Sequence, residues 1–198
     1  VADNVTVIRQ GATVAEVPAD SVTPRELAEL MVGSDLPVAP PRTTKPEERV
    51  VLDVQHLTVP NPGARDFLHD VTFSIRAGEV VGIAGVEGNG QSELVQAIMG
   101  LVASSGAVTF NGADISDASV ADRRDGALLG CNHQKFIVGR EMERRPSLLI
   151  ASHPTRGVDV GAQAAIWEEL RKARDNGMAI LLVSADLEEL IGMSDTLK

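Results

Sequence analysis

Gly85-Val86-Glu87-Gly88-Asn89-Gly90-Gln91-Ser92 carries the densest chemical signal in the sequence. Its glycines permit a tight turn in which successive backbone amides face one point, where an anion is held. The preceding Val80–Ala84 run (VVGIA) is apolar and short, as in a buried strand. The following Glu93–Leu101 segment places Leu94, Val95, Ile98 and Leu101 on one helical side. A strand, a glycine loop and a helix in that order are the context that a phosphate-binding loop requires. Ser92 supplies the hydroxyl expected to touch Mg²⁺, weakly in the absence of other ligands. Gln91 stands where the pattern calls for Lys, so the loop can donate a hydrogen bond there but no charge.

The elements that must position this loop follow from hydrophobic period and turn chemistry. Val5–Ile8 and Thr13–Val17, separated by Gly11, predict a hairpin. Thr23 is the expected N-cap of the next helix, with Pro24 in its first turn, Glu26 completing a capping box, and Leu27, Leu30 and Met31 as its apolar stripe. Residues 34–48, SDLPVAPPRTTKPEE, read as an extended linker. Beyond it, Val50–Val59, Val71–Ile75 and Val108–Phe110 predict strands, and Asp114–Arg124 is polar and weakly helical. A helix is expected from near Cys131 through Met142, burying Phe136, Ile137 and Met142. Leu148–Ala151 and Met178–Val183 predict buried strands, and residues 162–175 and Leu187–Ile191 predict helices. Alternating strands and helices argue for an α/β fold with a mostly parallel sheet.

Composition narrows the function classes. Hydrophobic residues make up 43% of 198, enough for a sizeable core. Four Phe, one Trp and no Tyr leave no stacking platform for single-stranded nucleic acid. The formal net charge of -10 disfavours polyphosphate backbones, and no nucleic-acid partner is expected. A single cysteine excludes an internal disulfide framework and a cysteine-rich zinc site. No apolar run is long enough to span a bilayer, and the start shows no basic segment followed by an apolar one. The chain is expected to be soluble and cytosolic, docking on a membrane protein.

Beyond single motifs, the sequence resembles part of an ABC transporter ATPase, of the duplicated type found in simple-sugar and nucleoside importers. GVEGNGQSEL (85–94) is similar to the P-loop of the second ATPase domain. NHQKFIVGRE (132–141) resembles the helix after the signature motif. SHPTRGVDVGA (152–162) resembles the Walker B end and D-loop, with Asp159 as the D-loop aspartate. LLVSADLEE (181–189) resembles the switch strand. The opening ADNVTVIRQG and VTPRELAELMVG look like the tail of a first ATPase domain. The resemblance implies a P-loop nucleotide hydrolase-like fold, with residues 1–33 as the first domain's tail, 34–48 as linker and 49–198 as an abridged second domain. It implies ATP and Mg²⁺ as ligands, with Gly85, Gly88, Asn89, Gly90, Gln91 and Ser92 around the phosphates. The implied partners are another ATPase domain, transmembrane permease subunits and, indirectly, a substrate-binding protein. The implied location is peripheral, on the cytoplasmic side of the cell membrane. Phe67 is the nearest candidate for the aromatic that stacks on adenine.

Several positions depart from that family pattern. Ser152 and His153 stand where the Mg²⁺-associated Asp and the catalytic Glu would be, and Ala185 stands at the switch histidine. Leu129 replaces the signature serine and Cys131 its second glycine, while Gly130, Asn132 and Gln134 match. The helical subdomain and Q-loop expected between the P-loop and the signature are missing between Arg124 and Leu129. Two classes of function are therefore expected: an ATP-binding subunit of a sugar or nucleoside importer whose own catalytic site is degenerate, or a nonhydrolytic regulatory module derived from one. A small-molecule kinase with a P-loop is a weaker third, because it does not predict the signature-like and PTRGVD elements together.

Overall fold

The computed structural model describes residues 2–9, 11–33, 45–63, 65–86, 88–125, 128–132 and 146–198. The chain divides into two compact units, Val1–Pro41 with Gly157–Ala165, and Arg42–Arg156 with Ile166–Lys198. In the first, β1 (Asn4–Arg9) and β2 (Ala12–Pro18) pair antiparallel, with Val5 opposite Val17 and Thr6 opposite Glu16. Helix α1 (Pro24–Val32) begins on the expected capping box: Glu26 N donates to Thr23 Oγ1 at 3.2 Å, and Thr23 N donates to Glu26 Oε2 at 2.8 Å. These reciprocal bonds satisfy two amides that the helix itself leaves unpaired.

The second unit holds two sheets. Strands β3 (Val50–Val59), β4 (Leu68–Arg76), β6 (Ser105–Phe110) and β7 (Ala113–Asp114) form an antiparallel sheet in the order β4-β3-β6-β7. Strands β5 (Val80–Ala84), β8 (Leu128–Asn132), β9 (Leu148–Ser152), β10 (Ala179–Ser184) and β11 (Thr196–Leu197) form a wholly parallel sheet in the order β11-β5-β10-β9-β8. The inner strands VVGIA, LLIAS and AILLVS are apolar along most of their length because both faces are covered. Side chains alternate across that sheet. Leu148, Ile150, Leu181 and Val183 join one core with Leu52, Leu57, Phe73, Ile75 and with Leu94 and Ile98 of α2 (Gln91–Ile98). Their neighbours Leu149, Ile180 and Leu182 are buried too, as are Ile166 and Leu170 of α4 (Val160–Asp175) and Leu190 of α5 (Leu187–Met193). A short helix α3 (Val120–Asp125) follows β7.

The fold is thus the α/β, P-loop type expected, with three local corrections. The segment expected to open a helix near Cys131 is instead strand β8 up to Asn132, with Leu129 opposite Leu149 and Cys131 opposite Ala151. The outer edge of β9 offers unpaired backbone donors and acceptors, and a short apolar stretch satisfies them by joining the ladder. Phe136, Ile137, Met142 and Gln134 lie outside the described residues, as does the linker up to residue 44. Leu101 is 59% exposed, not part of the apolar side, because α2 ends at Ile98. The antiparallel sheet, finally, is separate from the parallel one.

Candidate functional site

A parallel sheet turns all of its strand ends the same way. β5 runs into Gly85, β10 into Ala185, β9 into His153, and β8 ends at Asn132. Ala84 is level with Ser184, Val183 with Ser152, and Ser152 with Asn132. With neighbouring strands about 4.8 Å apart, Gly85 and His153 begin roughly 10 Å from each other, across the end of β10. His153 N donates to Val183 O at 2.7 Å and fixes that spacing. The expected loop, switch and Walker B positions therefore meet at one carboxyl edge, where open α/β sheets bind ligands.

The glycine loop leads directly into α2. Gly90 is the N-cap of α2 at φ 100, and no side chain caps it, so the first amides of the helix keep their donors. A Cβ at Gly90 would stand 2.7 Å from Phe67 O, so only glycine fits both the backbone and the approach of that strand end. Phe67 is thereby placed beside the loop, with 45% of its surface exposed. Ser92 is exposed in the first turn of α2. Gln91 is buried and folds back over the loop: its Oε1 accepts from Asn89 N at 3.1 Å and its Nε2 donates to Val86 O at 3.0 Å.

The expected Walker B and switch positions on the second half of the edge carry no carboxylate. Ser152 and His153 are half-buried, and His153 holds a left-handed backbone at φ 47. Ala185 is exposed between β10 and α5, where Asp186 caps the helix by accepting from Glu188 N at 2.9 Å. Asp159 is exposed and caps α4, accepting from Ala162 N at 2.9 Å. Among the described residues no group of three His, Cys, Asp or Glu is placed to hold a metal ion. Free amides at a helix start and an exposed hydroxyl fit a phosphate group. Among the described residues, the sequence-expected positions offer a divalent ion the hydroxyls of Ser92 and Ser152, a poor set for a hard cation that prefers carboxylate oxygens. Leu129, Gly130, Cys131 and Asn132 lie in β8, separated from β5 by the two strands β10 and β9.

One feature of this edge was not read from the sequence. Glu189 is 1% exposed, and its Oε1 accepts from Thr155 Oγ1 at 2.8 Å and from Trp167 Nε1 at 3.0 Å. Its Oε2 is buried without a partner among the described residues. The carboxylate ties the turn after β9 to α4 and α5. No local pattern announces it, since the three residues are distant in the chain. A cavity of about 650 Å³, lined by Arg49, Ser147, Lys172 and Met178 among others, opens at the opposite, amino edge, where β9 and β10 begin.

Comparison with known proteins agrees with this geometry. The ABC transporter family model matches residues 68–184. The nucleoside import ATP-binding protein NupA of Lactococcus lactis subsp. cremoris is 33% identical, over 98% of this chain and 52% of its own length. The guanosine import ATP-binding protein NupO of Bacillus subtilis is 32% identical over the same shares, and the ribose import ATP-binding protein RbsA 1 of Streptomyces avermitilis is 33% identical, over 98% and 49%. The chain spans about half the length of these relatives. The NupA alignment runs over 264 positions against a chain of 198, so the relative carries residues that have no counterpart here. Among solved structures, the ADP conformation of MJ1267, an ATP-binding cassette of an ABC transporter, superposes with a TM-score of 0.67 at 16% identity, over 75% of this chain and 86% of that one. A family match across more than half of the sequence, on a fold of the same kind, establishes that the chain belongs to the ABC transporter family.

Proposed function

We propose that the chain is an ATP-binding part of an ABC importer for a sugar or a nucleoside, with a degenerate hydrolytic site of its own. The observation that carries this reading is the β5–glycine loop–α2 unit at the carboxyl edge of a parallel sheet, on a chain whose relatives are named as nucleoside and sugar import ATP-binding proteins. In this proposal residues 1–33 are the tail of a first ATPase domain, 34–48 the linker and 49–198 an abridged second domain. The partners are another ATPase domain and transmembrane permease subunits on the cytoplasmic side of the membrane, with a substrate-binding protein acting through the permease. No helix among the described residues is long and apolar enough to cross a membrane, which fits a peripheral role.

The residues divide the work unequally. The amides at the start of α2 and the loop around Gly88, Asn89 and Gly90 would hold the phosphates, Ser92 would reach Mg²⁺, and Phe67 would lie against the base. The metal ion, when bound, supplies charge neutralisation for phosphoryl transfer. Ser152 donates or accepts a hydrogen bond without supplying negative charge. His153 stands at the position that would orient water, but its imidazole brings no carboxylate charge there, and the Ala185 side chain offers no hydrogen bond at the switch. Binding thus keeps its framework while hydrolysis loses several of its supports. Those same four positions, Gln91, Ser152, His153 and Ala185, favour the second reading, a nonhydrolytic regulatory module.

Calorimetry with Mg-ATP and steady-state phosphate release on the purified chain test the proposal. Weak binding with release near background is the expected result. Several turnovers per second would overturn the degenerate-site reading and give His153 a catalytic role. Absence of nucleotide binding would leave the interaction module.

A further inference from the structure

The glycine loop is closed by its own glutamine. Gln91 Oε1 accepts from Asn89 N at 3.1 Å, one of the donors that a loop of this kind turns toward phosphate; the same N–H also reaches Val86 O at 3.3 Å, and Nε2 donates to that carbonyl at 3.0 Å. A Cβ built on Gly85 would collide with Gln91 Nε2, and the three atoms nearest to that Cβ all belong to the Gln91 side chain. The side chain is 8% exposed, whereas Val86 is 76% exposed and the space beside Gly88 is open. The Asn89 amide is therefore satisfied from within the loop, by a neutral amide oxygen and a backbone carbonyl.

We propose that the Gln91 carboxamide is an internal stand-in for phosphate, which a phosphoryl ligand must displace before the loop can bind it. The proposal rests on the nucleotide-binding reading and adds a sign to it. A lysine in this position would bring charge to the ligand. This glutamine competes with the ligand for the loop, so removing the side chain strengthens binding instead of weakening it. Two neutral hydrogen bonds of ordinary net strength leave the open loop as a minor population, and apparent affinity falls by that fraction. Releasing the carboxamide is expected to tighten Mg-ATP binding at least about 5-fold, the low end of what two such bonds hold back.

Two variants of the full 198-residue chain test this by independent routes. Gln91→Ala removes the carboxamide and keeps a good helix former. Gly85→Ala leaves Gln91 intact but places a methyl where its amide lies. Amide hydrogen exchange is followed at Asn89, with Leu94, whose N–H is bonded to Gly90 O, as the control for an intact helix. Mg-ATP and inorganic pyrophosphate are titrated by calorimetry. Faster Asn89 exchange with unchanged Leu94, and tighter binding of both ligands by both variants, is the expected result. Equal or weaker binding by Gln91→Ala overturns the proposal and makes Gln91 a donor to the ligand, and unchanged Asn89 exchange overturns it as well. If the wild type, both variants and Gln91→Lys all fail to bind either ligand, the nucleotide-binding reading falls and displacement falls with it. Faster Asn89 exchange would then still separate a closed loop from a structure in which it never closed.

Discussion

Gln91 shows how one side chain changes the character of a site without disturbing its frame. The loop, the strand before it and the helix after it are those of a phosphate site, yet the group at its centre is neutral and turned inward. Gln91→Lys is expected to strengthen Mg-ATP binding roughly 10- to 100-fold, the range that a charged hydrogen bond of about 1.5–3 kcal/mol provides. Lysine also lacks an acceptor, so Asn89 N would keep only its longer bond to Val86 O. Calorimetry on the folded variant reads the change, and unaltered affinity would show that the missing charge does not limit binding. The gain over Gln91→Ala isolates the part due to charge from the part due to release. His153 and Ser152 are the other half of the deficit, and neither is repaired by tightening the loop.

Helix α2 depends on its far end as well as on its loop. Arg123 of α3 is 4% exposed and donates to Ala97 O at 3.1 Å, Ile98 O at 2.6 Å, Ala118 O at 3.1 Å and Ser116 O at 2.8 Å. It thus caps the carbonyls that α2 leaves open and binds them to the turn after β7. Burial holds its pKa below the usual arginine value, partly opposed by the nearby Asp117, and the group stays charged because arginine starts so high. Arg123→Met is expected to cost about 2–4 kcal/mol, since buried carbonyls lose charged donors. Urea denaturation measures it, and a change within about 0.5 kcal/mol would mean that water replaces the guanidinium. At the carboxyl edge, Glu189 binds α5 to α4 and to the turn after β9. Trp167 is the single tryptophan of the chain, so its emission reports that junction. Glu189→Ala is expected to shift the emission to longer wavelength as the indole N–H turns to water, and an unshifted spectrum would place the anchor elsewhere.

At the scale of the molecule, the short connection between α3 and β8 decides where the signature-like residues go. Here they complete an edge of the parallel sheet, with Gly130 opposite Ile150. Backbone groups paired to β9 are not free to face a nucleotide on another domain. An insertion between Arg124 and Leu129, as the family resemblance implies for a complete ATPase domain, would give the segment room to leave β9. The double change Leu129→Ser with Cys131→Gly is therefore expected to raise ATPase activity only in an assembled transporter that also carries the upstream domain and the helical insertion. The serine would supply a hydroxyl near the transferred phosphate, and the glycine would allow close backbone approach. Phosphate release with assembly checked separately tests this. Equal activity before and after the change would defeat it, and an increase in the 198-residue chain alone would show that no upstream partner is needed.

What the sequence determined by itself is local. The capping box at Thr23 and Glu26, the glycine loop between an apolar strand and an amphipathic helix, and the strands Leu148–Ser152 and Ala179–Ser184 were legible because each rests on residues within a few positions of one another. Hydrophobic period and turn chemistry act over that distance. The tertiary structure alone decided that Gln91 folds inward, that Arg123 caps a helix 25 or 26 positions away, and that Thr155 and Trp167 share one carboxylate of Glu189. It also decided that Cys131 and Asn132 finish the strand Leu128–Asn132, where local pattern and family likeness placed the start of a helix. The physical reason is the same in each case. A buried donor or acceptor must find a partner, and when none is near in sequence, packing of distant elements chooses it.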